Sequence, residues 1–262
     1  MGTDETASLH RPTHIGAEEW ALRLELAACY RVFDWLGWTE NIFNHITVRV
    51  PGPERHFLIN PFGLWYDEVT ASNLVKIDLA GNPVAPTRHP PNPAGFTIHS
   101  AIHAAREDAH CVIHTHTTTG LAVACKARGL SHDNFYGAML AGRVAYHDFE
   151  GITTRADEQP RLVASLGDRN VLVLRNHGLL VCERDVPTAF ALMWTVQRAC
   201  DVQHAAEAMG GADIPLAPEV CEASAHAAKH FEADGRTCHR MFEAAVRRME
   251  RARGPHWIDY RV

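Results

Sequence analysis

Cys111-Val112-Ile113-His114-Thr115-His116 decides how this chain is read. Its apolar first half marks a buried strand, and on a strand the side chains at i and i+2 point to the same face. His114 and His116 therefore stand side by side, as a metal requires of neighbouring ligands. A chain with 18 histidines also produces such a pair by chance or on a solvent face. Here, however, Thr117-Thr118-Thr119-Gly120 follows directly as a loop at a strand end, where α/β sites usually lie. A further imidazole, His177, sits in Asn176-His177-Gly178 between two apolar strands, and Gly178 permits a sharp turn. It reads either as a core histidine bonded to a carbonyl or as a third ligand. Three neutral imidazoles with an open position suit zinc, iron or a similar divalent metal.

Outward from this strand, the spacing predicts one α/β domain with a helical C-terminal extension. Residues 1–15 are polar and aperiodic and read as a disordered leader. Leu22, Leu26, Cys29, Val32, Phe33 and Leu36 recur at helical spacing over 18–36, and Gly37 stops the run. Strands are expected at 46–50 and 56–60 as a hairpin across Pro51-Gly52-Pro53, then a short helix at 72–75 and a strand at 75–78. The segment 82–93, with five prolines, is a loop. Helices follow at 96–106, 120–128, 158–166 and 186–209, and strands at 111–116, 142–146, 171–174 and 179–182. Residues 212–222 read as loop, 223–252 as two helices, and the aromatic end 257–262 as a segment that docks. The expected divisions are 1–15, 16–211 and 212–262.

Composition narrows the function. With 262 residues the chain builds one sizeable core. The net charge of -6, with both signs interspersed, gives no footprint for nucleic acid, and no basic amphipathic stretch points to a membrane surface. No apolar run approaches the roughly 20 residues of a membrane span. Seven scattered cysteines, never in CxxC spacing, fit reduced thiols and predict a cytoplasmic protein. Neither GxSxG, a P-loop nor GxGxxG occurs, so a hydrolase triad or nucleotide cradle has no support.

The pattern FxxHxAIHxxRxDxxxVIHTH over 96–116, followed by LRNHGLL over 174–180, resembles the class II aldolase/adducin family. So do Asn44-His45-Ile46-Thr47-Val48-Arg49, the run 57–64 from Phe57 to Leu64, and Tyr66-Asp67-Glu68-Val69-Thr70-Ala71-Ser72. The resemblance covers about 18–210 with the motifs in order. It implies a three-layer α/β/α sandwich around a central mixed, mainly antiparallel sheet. It also implies a homotetramer and one divalent metal per subunit (Zn, Mn or Fe) held by His114, His116 and His177.

The departures point away from sugar phosphates. Aligned backwards from His114, the Ser-Ser-Glu of the family's sugar-phosphate enzymes reads Pro93-Ala94-Gly95, which removes the phosphate-holding serines and the Glu ligand and proton carrier. The Thr-Gly turn reads Phe62-Gly63, and the Gly-Asn pair reads Asn44-His45. The pattern is closer to the adducin-like branch. Three neutral histidines leave the full charge on a metal, which favours an anionic or chelating small molecule. His45, Asn44, Phe62, Gly63 and Gly95 are the expected substrate-binding positions. A proton carrier is sought in His99, one helical turn before His103, in Tyr136, and in Tyr260 near the C-terminus. Each has a plainer reading as a packing or capping residue.

A metal-dependent lyase (aldolase or decarboxylase type) acting on a non-phosphorylated oxygenated or carboxylated substrate is the leading expectation. A non-haem iron(II) oxygenase uses the same three-His site. A non-catalytic adducin-like assembly protein is the third reading, although adducins rely on a long charged tail that this sequence does not show.

Overall fold

The computed structural model describes residues 11–262 except Asn92, Thr154, Asp234 and Gly235. Of the expected leader, 1–10 lie outside the described residues, whereas 11–15 are structured. Ile15 N–H donates to the Pro12 carbonyl at 3.1 Å, and Ile15 is buried with Trp20 and Ala71. Helix α1 (Ala17–Leu36) then buries Leu26, Cys29, Val32 and Phe33, as its spacing requires. Gly37, at φ 72°, closes it with N–H bonds to Asp34 and Phe33 carbonyls.

Seven strands form one sheet: β1 (His45–Arg49), β2 (Phe57–Ile59), β3 (Val75–Ile77), β4 (Cys111–Thr115), β5 (Val144–His147), β6 (Val171–Leu174) and β7 (Gly178–Glu183). Their order is β3-β2-β1-β4-β7-β6-β5, and all pairs are antiparallel except β5–β6. The sheet is mixed and mainly antiparallel, as expected. The remaining helices are α2 (Pro93–Ala105), α3 (Thr118–Ala124), α4 (Phe135–Ala138), α5 (Gln159–Leu166), α6 (Val186–Met209), α7 (Pro218–Ala233) and α8 (Arg236–Arg253).

Alternation along the strands splits the core into layers. Ile46, Ile113, Val173, Val181 and Leu179 face α1, α6 and α8, where they meet Phe33, Phe190 and Phe242. Val112, Leu172, Leu180 and Cys182 face α2 and α5, where they meet Ile98, Ile102 and Leu162. His45, Thr47 and His114, being out of phase with Ile46 and Ile113, are therefore on the α2 side of the sheet. Phe242, Met249 and Tyr260 belong to the larger core. The C-terminal stretch docks through Ala71 and Ser72 N–H bonds to the Tyr260 and Val262 carbonyls. Among the described residues no helix is long and apolar enough to cross a membrane.

Several elements differ from their expected places. The helix expected at 72–75 is a turn, because Thr70 N–H bonds to the Asn73 side chain at 2.8 Å and the chain end takes the Ser72 N–H. A 3₁₀ turn, Tyr66–Glu68, precedes it. The helix expected at 120–128 starts as soon as β4 ends, with Leu121 N–H on the Thr117 carbonyl, and stops at Ala124. Asn134 caps the unexpected α4 by accepting from Gly137 N–H. Pro218 opens α7 inside the stretch expected to be loop, as proline at a first helical position does.

Candidate metal centre

The ladder between β4 and β7 builds the site. It pairs His114 with Leu180 and Thr115 with Leu179, which brings the turn carrying His177 against the end of β4. Asn176 adopts φ 56°, and His177 N–H closes the turn on the Leu174 carbonyl at 3.0 Å. Only glycine fits next. A Cβ at Gly178 would lie 2.4 Å from the Thr115 carbonyl oxygen and 2.9 Å from His116 Cδ2. The ring centroid of His177 is thereby 4.8 Å from that of His114 and 4.9 Å from that of His116, and the candidate ligand atoms of all three lie within 4.8 Å of one another.

The chemistry of this set fits a divalent metal. His114 Nδ1–H donates to the Leu179 carbonyl at 2.9 Å, so its Nε2 carries a bare lone pair. That nitrogen faces His116 Nε2 at 2.7 Å. Burial, reinforced by the neighbouring rings, pushes His114 well below the usual imidazole range and His177 down to about 4, and burial lowers His116 as well. Three neutral nitrogen donors therefore converge, one of them oriented by a backbone carbonyl.

They open into a cavity of about 540 Å³ whose walls include Ile98, Leu121, Phe43, Phe149 and Ile152. Among its described lining residues none is Lys or Arg, and Glu40 is the one acidic group. His45 also lines it. The His45 ring rests on Gly95 at the start of α2, where a Cβ would lie 2.7 Å from both Cγ and Cδ2. His45 thus takes the space that a side chain at the aligned Glu position would need.

The other expected site residues are placed elsewhere. His99 is fully buried behind His45, its Nε2 2.8 Å from His45 Nδ1, and does not line the cavity. Asn44 is buried with its amide on the Trp38 carbonyl at 3.4 Å. Phe62 and Gly63 do not line the cavity, and Phe62 N–H bonds to the Pro90 carbonyl. Tyr136, on α4, packs against Phe135 and lies under the Arg198 guanidinium, 5.5 Å from its ring centroid. Tyr260 donates its hydroxyl to Glu250 at 2.7 Å. Thr47 and Thr153 went unselected in the sequence. Alternation on β1 places Thr47 on the face of His45, whereas nothing in the sequence marks Thr153.

The sandwich and its three-histidine pocket define the class of protein. The model of the Class II Aldolase and Adducin N-terminal domain matches residues 24–204, and the chain belongs to this family. The structure is similar to that of an aldolase II superfamily protein from Pseudomonas syringae, with TM-score 0.89 and 44% identity over 95% of this chain and 98% of that one. An L-fuculose 1-phosphate aldolase from Glaciozyma antarctica superposes with TM-score 0.80 at 26% identity, covering 96% of this chain and 98% of that one. Alpha-adducin of Rattus norvegicus is 47% identical over 185 residues, which are 70% of this chain and 25% of adducin.

Proposed function

We propose that the chain is a divalent-metal-dependent lyase that cleaves, forms or decarboxylates a small non-phosphorylated substrate. The observation that carries this reading is the convergence of His114, His116 and His177 on a cavity whose described lining residues include no Lys or Arg. Apart from a metal held by the trio, a phosphate bound there would meet apolar walls and Glu40, with no cationic side chain among the described lining residues. Zinc, manganese or iron bound by the trio would supply a Lewis acid for a carbonyl or carboxylate oxygen.

The chain's own groups supply the rest. Phe43, Phe149, Ile98 and Leu121 exclude water from the substrate's carbon skeleton. His45, at the place of the aligned Glu, accepts a substrate proton at Nε2. His99, behind it, supports that ring and does not meet substrate. The subunits are expected to assemble as a homotetramer. Tyr136 and Tyr260, with their hydroxyls away from the cavity, would act on substrate only across a subunit boundary.

The test is removal of metal by chelation, reloading with zinc, manganese or iron(II), and assay for retro-aldol cleavage and decarboxylation. Activity that survives complete metal removal overturns the reading. Iron(II) with O₂ uptake would favour an oxygenase, which three neutral ligands in an apolar pocket also suit. The identity to alpha-adducin is the ground for a second, non-catalytic reading, which a metal-free preformed oligomer would favour.

A further inference from the structure

Behind His45 runs a buried chain of side chains. His45 Nδ1 lies 2.8 Å from His99 Nε2, His99 Nδ1 lies 2.6 Å from Thr47 Oγ1, Thr47 Oγ1 lies 2.8 Å from His103 Nε2, and His103 Nδ1 lies 3.0 Å from the Ala109 carbonyl oxygen. All four side chains are almost fully buried, and among the described residues no carboxylate hydrogen-bonds to them. A buried imidazolium without a counter-charge is costly, so each ring carries one proton.

The proton positions then follow in one direction. The Ala109 carbonyl only accepts, so His103 is protonated at Nδ1 and bare at Nε2. The single Thr47 hydroxyl proton goes to that nitrogen, which leaves Thr47 Oγ1 to accept from His99 Nδ1–H. His99 Nε2 is therefore bare and accepts from His45 Nδ1–H. The Cγ–Cδ2 edge of His45 is covered by Gly95. That leaves the Cε1–Nε2 edge for the cavity His45 lines, and Nε2 makes no hydrogen bond among the described residues.

We propose that Thr47 and His103 are positioning residues that, through His99, lock His45 in the Nδ1–H tautomer, so that its Nε2 presents a lone pair to the cavity as acceptor for a ligand hydroxyl. The inference rests on the reading of this cavity as the ligand site. The lock itself exists without any ligand. Neither positioning residue lines the cavity, and each acts through the ring in front of it.

The experiment is ¹⁵N-imidazole NMR of the full chain, free of metal and at neutral pH. His45, His99 and His103 are expected in the Nδ1–H form. Thr47→Val, which removes the hydroxyl at constant shape, should leave His103 unchanged and shift His45 to a mixture of tautomers. Thr47→Ser should restore the wild-type pattern. An Nε2–H proton on wild-type His45 overturns the proposal, and so does a Thr47→Val spectrum in which His45 is unchanged. If Thr47→Val does not fold, the wild-type tautomers decide the question. Because the readout needs neither metal nor substrate, inactivity with every substrate would count against the proposed function and leave this result standing.

Discussion

The His45 ring and any side chain at position 95 exclude each other, because the ring fills the space a Cβ on Gly95 would need. A Cβ built there would sit 2.7 Å from two ring carbons. Gly95→Ala should therefore cost about 1–3 kcal/mol, the usual range for overpacking a closed site. The double variant Gly95→Ala/His45→Ala should be less destabilised than the sum of the singles, because removing the ring removes the clash. Denaturant midpoints of the four proteins measure this, and strict additivity would separate the two residues.

Removing His177 tests the ligand set without touching a strand. His177→Ala should retain the circular dichroism of the parent and weaken zinc binding by more than the roughly 10–100-fold typical of losing an outer partner of a ligand. Competition with a chromophoric chelator gives the affinity. Unchanged zinc binding would place any metal elsewhere.

Gly178 is the backbone counterpart of that test. Gly178→Ala drives a Cβ to 2.4 Å from the Thr115 carbonyl, which is ladder backbone and has little room to move. The variant should lose about 1–3 kcal/mol or more of stability and bind zinc more weakly. Gly16, whose added Cβ meets nothing within 4 Å, is the control, and its alanine variant should melt close to wild type.

Glu25 gives a pH dependence remote from the histidines of the cavity. Burial, and after it the nearby Asp185 charge, raises its carboxyl from 4.5 to about 7, with His239 opposing. The folded state thus binds a proton that the unfolded chain releases near 4.5. Its contribution is present below that pH and is lost as pH rises through about 7. Glu25→Gln should leave stability at pH 4.5 nearly unchanged and raise it at pH 8, by about 2–3 kcal/mol at most. Thermal unfolding at the two pH values checks it, and equal shifts at both would refute it.

The parts of this molecule written in short-range pattern are those that sequence reading recovers. Alternation sets the strands and the facing of His114, and periodicity sets α1 and α6. Residues 72–75 read as helix in sequence but form a turn, because Ala71 and Ser72 find their backbone partners, Tyr260 and Val262, at the far end of the chain. The same limit governs the site. His114 and His116 are two residues apart on one strand and are visible at once. His45 meets Gly95 only across the space between β1 and α2, so its place beside the trio is a product of packing. The relay through Thr47 and His103 joins β1 to α2 in the same way.

Because the β4–β7 ladder fixes the histidine positions, register and ion binding are tied to each other. A slip of one residue would turn His114 to the opposite face and carry the His177 turn away from it. An ion held by the trio would thus reward one pairing of these strands over its neighbours, adding about 2.7 kcal/mol to the native state at a hundredfold excess over its dissociation constant.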